Sequence, residues 1–289
     1  MITQIICALL YVIIAPFLGG LLAGIDRKIT ARMQGRIGPS IFQPFYDVAK
    51  LLNKQIMKIN NMQYPFALCF LIFVVITGAL FFGGADILLV FFTLTTAALF
   101  FILEAATTNS PFSVMGSERE IIQMLAYEPM MLLVAVGFYM ANGTFSVAEI
   151  INAEYSSILR MPGLFIGFLY ILTIKLRKSP FDLSTSHHAH QEVVKGITTE
   201  LSGRMFAFVE IAHWYENVFL LGVIGLFIIN ASWWSIPLAL VVIALCYFME
   251  ILIDNCSARV KWNLMFRSAW LVTLIFGVAN IIILQYVLK

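Results

Sequence analysis

The chain has 289 residues, 61% of them hydrophobic and only 12% charged, and a mean hydropathy of +0.92, which excludes a water-surrounded globular domain and marks an integral membrane protein. The net charge of +2 is too small for a nucleic-acid-binding surface. Four cysteines, Cys7, Cys69, Cys246 and Cys256, are scattered without metal-ligand spacing, which leaves no iron–sulfur or other metal site in the sequence pattern.

Apolar runs long enough to cross a hydrocarbon core of about 30 Å recur eight times, roughly at 3–25, 64–83, 86–104, 121–141, 157–176, 205–230, 233–253 and 268–288. The first ends in IDRK without a small-residue cleavage site and reads as a retained helix rather than a signal peptide. The fifth has a short clean core, Pro162 to Ile174, and has to recruit the preceding SILRM to reach full length.

Short connections at Gly83–Asp86 and at Asn230–Trp234 make two pairs of these runs antiparallel hairpins. With the amino terminus outside, eight crossings put sixteen of the eighteen lysines and arginines in inner segments and leave only Arg160 and Lys289 outside. The positive-inside rule therefore selects an all-α integral membrane protein of eight transmembrane helices, both termini outside, as a single polytopic membrane domain over 1–289.

Three inner segments are long enough to build a surface. In the first, 26–63, Phe45, Val48, Ala49, Leu52 and Ile56 recur at helical spacing with Lys50, Lys54 and Lys58 on another side, predicting an amphipathic interfacial helix after the first span. The second, near 107–120, has Ser117 spaced from Glu120 as in a capping box for the fourth span. The third, RKSPFDLSTSHHAHQEVVKGITTELSGR at 177–204, is a charged island in an otherwise apolar chain.

Carboxylates inside a bilayer are costly, on the order of 2.5 to 3.5 kcal/mol for an aspartate at a helix centre. Glu128 lies within the fourth span beside Pro129, and Glu210, His213 and Glu216 follow one another at steps of three in the sixth, a slanting polar stripe. Glu250 and Asp254 share a face near the inner end of the seventh. A chain of titratable groups in a bundle is what a proton relay needs. Glu104, Glu120 and Asp254, close to the inner surface, are equally well read as helix-end or structural carboxylates. His187, His188 and His190 have no cysteine nearby, and HHxH is a better fit to a polar surface at a partner interface than to a metal site.

ARMQGRIGP (31–39), LAYEP around Glu128, SPFDL (179–183) and QEVVKGITTELSG (191–203) resemble the NADH dehydrogenase subunit 1 family, the membrane subunit against which the redox arm of respiratory complex I rests. Eight spans with an outside amino terminus is what that resemblance implies for the fold. The glutamate-rich third loop of quinone-reducing members is replaced here by the histidine-bearing version, with Glu192 and Glu200 matching family glutamates and His188 and His190 standing where two others would be. This version looks like the branch of energy-converting group 4 [NiFe]-hydrogenases.

The resemblance implies no cofactor bound by this chain, with a [NiFe] centre and [4Fe-4S] clusters in partner subunits. The implied partners are hydrogenase small and large subunits, an antiporter-like membrane subunit, ferredoxin through the peripheral arm, and membrane lipid; no nucleic acid is among them. Glu128, Asp182, Glu192, Glu200, Glu210, His213, Glu216, Glu250 and Asp254 are the expected coupling residues, and Arg27, Arg36, His187, His188 and His190 the expected partner interface. No catalytic residue is expected in this chain. The coupling ion, H⁺ or Na⁺, stays open, as do a quinone-chamber role, a sulfane reductase or formate dehydrogenase module in the hydrogenase's place, and a stand-alone transporter.

Overall fold

The structure, a computed structural model, describes residues 2–57, 59–185 and 195–287, with Val287 as backbone only. His187, His188, His190 and Glu192 lie outside the described residues, as does Lys58. The described residues form helices α1 (Ile2–Met33), α2 (Gln43–Asn53), α3 (Gln63–Phe82), α4 (Ile87–Ala106), α5 (Pro111–Asn142), α6 (Val147–Ile151), α7 (Ser157–Arg160), α8 (Pro162–Lys175), α9 (Gly203–Ile228), α10 (Ser235–Cys256), α11 (Trp262–Val272) and α12 (Ala279–Val287). One wide turn, Thr273–Val278, joins α11 to α12. Among the described residues the only β pairing is a single bridge between Asp86 and Ser146.

Among the described residues, seven helical stretches are long and apolar enough to cross a membrane. At the expected fifth span the chain breaks at Met161 (φ −132, ψ 57), and Pro162 opens α8 with its missing N–H at a position that needs no donor. Fourteen residues of α8 reach about 21 Å at 1.5 Å per residue, short of the about 30 Å core. SILRM is therefore a separate turn, α7, and not an extension of the helix. It is held by Ser156 Oγ, which donates to the Ile228 carbonyl at 2.7 Å, and by Arg160, which donates to the Ala141 carbonyl.

Three expected boundaries are corrected. No glycine or proline interrupts DRKITARM, so α1 runs on to Met33 and ends where Gly35 takes φ +71. In α5, Pro111 supplies the first helical residue ten positions before the expected start. Ser117 is thus inside the helix, where its hydroxyl donates to the Val114 carbonyl at 2.8 Å, and caps nothing. In α2 the helix stops at Asn53, as Lys54 turns extended (ψ 149), so Ile56 falls beyond it. Its inward face is Phe45, Val48 and Leu51, packed against Ala207, Ile211 and Trp214 of α9, while Ala49 and Leu52 are exposed.

The sixth expected span, α9, is the axis of the bundle. Of its most apolar stretch 72% is buried, against 22% for α1 and for α10, whose outward isoleucines and leucines are left to face lipid. Small residues allow the close crossings that lipid-surrounded helices rely on: a side chain at Gly19 would collide with the Trp214 backbone, and one at Gly78 with the Tyr11 ring. Tyr11 and Tyr215 lock α1 to α9 reciprocally, Tyr11 Oη donating to the Tyr215 carbonyl at 2.9 Å and Tyr215 Oη to the Val12 carbonyl at 2.6 Å.

Candidate functional site: a charged cavity at one end of the bundle

At one end of the bundle, the C-terminal ends of α1, α8 and α10 and the N-terminal half of α9 do not close on one another but surround a cavity of ≈ 500 Å³. Glu210, His213 and Glu216 line it from α9, so the three-residue stripe read from the sequence does face one space. Asp26, Arg27 and Thr30 reach it because α1 continues past the expected end, and Tyr247 and Asp254 line it from α10, seven residues and about two turns apart. Thr185 and Lys195, the residues flanking 186–194, also border it.

At its buried end four charges are knitted together. Lys175, the last residue of α8, places its ammonium 2.9 Å from Glu216, both side chains only 4% exposed, and donates to Tyr127 Oη at 3.1 Å. Arg177 grips Glu120 of α5 through Nε at 3.1 Å and Nη2 at 2.6 Å, lies 3.7 Å from Glu216, and faces the Phe101 ring at 5.0 Å. Its Nη1 is 3.0 Å from His213 Nε2, and the imidazole is edged by Phe70 and Phe101. Burial alone would pull the Arg177 guanidinium down, but Glu120 and Glu216 push it above its already high value, so it stays charged. Two cations meet two carboxylates, which is how a bilayer protein keeps such groups without a net buried charge.

Nearer the mouth, the Lys178 ammonium sits 2.9 Å from Asp26, off the hydrogen-bond direction, and 5.0 Å over the Tyr247 ring. Asp254 accepts the Ser179 amide N–H at 2.7 Å. Arg27 bridges to Asp47 of α2 at 2.8 Å, a half-exposed pair that Gln43 reinforces at 3.0 Å. Burial nudges the Asp47 carboxyl up, but the hydrogen bonds from Arg27 and Gln43 and the nearby positive charge outweigh it and hold the group below the usual carboxylate range.

The expected coupling residues thus divide. Glu210, His213, Glu216 and Asp254 share the cavity; Glu250 is buried one turn from Asp254, its Oε2 without a hydrogen bond among the described residues. Glu128 is half-buried outside the lining, one residue past Tyr127 and so turned about 100° from the cluster. Asp182 pairs with Arg259 at 3.3 Å away from the cavity, and Glu200 is half-buried beyond the turn Gly196–Thr198. Of the interface group, Arg27 borders the cavity while Arg36 is exposed and donates to Gln34 Oε1.

Lys175, Arg177, Tyr127 and Asp26 are cavity or cluster residues that sequence reasoning did not single out. In the sequence the two cations count only as topological charges. The available signal was Glu216, a carboxylate deep in an apolar helix that needs a counter-charge, beside a KLRK run at the end of a short span. No group of three or more His, Cys, Asp or Glu side chains among the described residues is arranged to hold a metal ion.

Known proteins share this architecture. The family model described as NADH dehydrogenase matches residues 5–285. An NADH-quinone oxidoreductase subunit of Bacillus cytotoxicus is 28% identical, with 94% of this chain and 90% of the relative covered, and its counterpart in Bacillus thuringiensis is 27% identical over the same shares. Among solved structures, a chain of the membrane-bound sulfane sulfur reductase, an archaeal respiratory membrane complex, superposes with a TM-score of 0.84 at 22% identity, covering 96% of this chain and 99% of that one.

Proposed function

The chain belongs to the NADH dehydrogenase family, as a subunit 1 member, and from that premise we propose that it is the membrane-anchoring, energy-coupling subunit of a ferredoxin-dependent, proton-reducing [NiFe]-hydrogenase complex. That it is a multi-pass membrane subunit of a complex I-like oxidoreductase follows from the family and the fold. The hydrogenase assignment is supported by the histidine-bearing loop HHAH at 187–190 in place of a glutamate-rich one.

The observation that carries the coupling role is the neutral cluster of Lys175, Arg177, Glu120 and Glu216 at the buried end of a cavity whose mouth is edged by the third loop. A charge change at that loop, driven by redox chemistry in a partner subunit, alters the field on Glu210, Asp254 and Lys178, which line the same cavity. Inside, Glu216 is shared between Lys175 and Arg177, so a proton gained or lost at the mouth shifts which cation it holds. The chain contributes no catalytic group and no cofactor ligand; the nickel–iron and iron–sulfur chemistry belongs to partners. Eight crossings with both termini outside would put this cavity on the cytoplasmic side of the cell membrane.

A quinone-chamber role is favoured by the names of the Bacillus relatives, which are subunits of NADH-quinone oxidoreductase. The lining argues the other way: among the described residues, nine of the eighteen that line the cavity are charged, a surface that suits water and protons better than an isoprenoid quinone, whose site is mostly apolar. The complex is purified in mild detergent through a tag on this chain and assayed with reduced ferredoxin and with quinone. Hydrogen evolution with co-purifying nickel is the expected result; quinone reduction without nickel would overturn the assignment.

A further inference from the structure

We propose that Arg177 is a gate on His213: its guanidinium caps the imidazole's Nε2 and holds the ring as the neutral Nδ1–H tautomer, so that the cavity's water can protonate His213 only after the guanidinium swings away. The inference rests on the proton-handling reading of the cavity but is tested on the chain itself.

A guanidinium has only N–H donors and no acceptor. The nitrogen 3.0 Å from Arg177 Nη1 must therefore offer a lone pair, and a neutral imidazole that accepts at Nε2 carries its hydrogen on Nδ1. An imidazolium in the same place would set two N–H groups against each other.

The guanidinium is aimed, not loosely parked. Glu120 takes its Nε and Nη2 edge, which leaves Nη1 for His213 and, at 3.7 Å, Glu216. Phe101 covers its face. The backbone at Arg177 is left-handed, φ 53, a conformation that a residue other than glycine adopts when its surroundings fix it.

Among the described residues, the charged groups that act on the imidazole are Arg177 itself, Glu216 three residues on along α9, Glu120 from α5 and Lys175 from α8; Glu210, three residues back on α9, lines the same cavity, and the uncharged rings of Phe70 on α3 and Phe101 on α4 edge the ring. When the gate opens, a hydronium ion in the cavity gives its proton to Nε2 and leaves as water, the Nη1···Nε2 contact breaks, and the four-charge cluster gains one positive charge on the ring. Glu216, held on the same helix, is the carboxylate placed to face the new imidazolium, and Arg177 retains Glu120. The gate thus exchanges one proton for one re-pairing.

The test reads the tautomer. The full chain, labelled with ¹⁵N-histidine in phospholipid nanodiscs, contains four histidines, and His213→Gln identifies the signals of His213. At neutral pH the expected wild-type spectrum shows a protonated Nδ1 and an unprotonated Nε2 at His213. In Arg177→Asn, a residue that tolerates left-handed backbone and is too short to reach the ring, the hydrogen is expected to move to Nε2 in most molecules. Should that variant fail to fold with Glu120 unpaired, Arg177→Asn combined with Glu120→Gln removes both charges and gives the same readout. A wild-type His213 with its hydrogen on Nε2, or a variant that keeps the Nδ1–H form, would overturn the proposal whatever the complex catalyses.

Discussion

Replacing Lys175 by Met tests whether the buried cluster is energetically one unit. Methionine fills the space of the lysine stem, so the substitution removes the charge with little change of volume. What remains is Glu216, 4% exposed, with its hydrogen-bonded partner at 2.9 Å gone and only Arg177 at 3.7 Å. Breaking a buried pair by removing one partner costs about 3–5 kcal/mol, and the residual attraction of Arg177 puts this case near the lower limit, about 3 kcal/mol. Glu216→Gln is expected to cost a similar amount because it strands the Lys175 ammonium beside Tyr127. The double variant buries neither charge and should lie within about 1 kcal/mol of wild type, since a buried pair exchanged whole for neutral groups is often close to neutral. Unfolding in mixed micelles, followed by tryptophan fluorescence, gives the three differences and their coupling. Additive single effects, or a Lys175→Met variant within about 0.5 kcal/mol of wild type, would refute the claim that Lys175 and Glu216 sustain each other.

Gly116 packs α5 directly against the backbone of Gly196 and Ile197, so Gly116→Leu should displace the turn that bears the cavity residues Lys195 and Thr198, at a cost of about 1–3 kcal/mol from overpacking. Faster tryptic cleavage after Lys195 than in wild type is the expected outcome, and an unchanged rate would dismiss the contact. Asp47 predicts an acid-side effect. Its folded carboxyl is held below the unfolded value, so its contribution to docking α2 is complete above about pH 4 and disappears as pH falls through the lower folded value. Hydrogen exchange in α2 should therefore rise relative to α3 only in that acid window, and Asp47→Asn should abolish the rise.

The spans were legible because lipid is an unforgiving solvent: a chain that crosses it must satisfy its backbone within a helix and clothe it in apolar side chains, and Gln63–Phe82 or Ser235–Cys256 shows this in composition alone. Helix ends outside the hydrocarbon carry no such constraint. DRKITARM at the end of α1 and PFSVMGSERE at the start of α5 read as loops because of their charged and polar residues; yet the first has no glycine or proline, and in the second Pro111 stands at the helix start, where proline is tolerated, while the single interior glycine, Gly116, weakens a helix without ending it. The stripe Glu210, His213 and Glu216 was legible for a geometric reason, since steps of three keep side chains on neighbouring lines of one helix. Their partners were not, because Lys175 and Glu120 meet Glu216 and Arg177 across three helices, and such pairing has no local pattern.

Lys175 and Arg177 also carry two arguments at once. In the sequence they count toward the charge bias from which an orientation is read; as partners of Glu120 and Glu216 they make a buried site electrically neutral. Neutrality is what allows such a site to exist at low cost, and also what makes it responsive: one added proton turns a balanced cluster into a charged one, and in surroundings of low dielectric that single charge is felt more strongly than it would be in water. If these residues served stability alone, apolar side chains of similar volume would do as well. The Lys175→Met, Glu216→Gln double variant separates the two roles, because it should keep the fold while removing the carboxylate that re-pairs. A folded double variant that still couples redox turnover to ion movement would leave the cluster as scaffolding, and the coupling proposed for this chain would then have to be tested at Glu210 and Asp254, which line the same cavity.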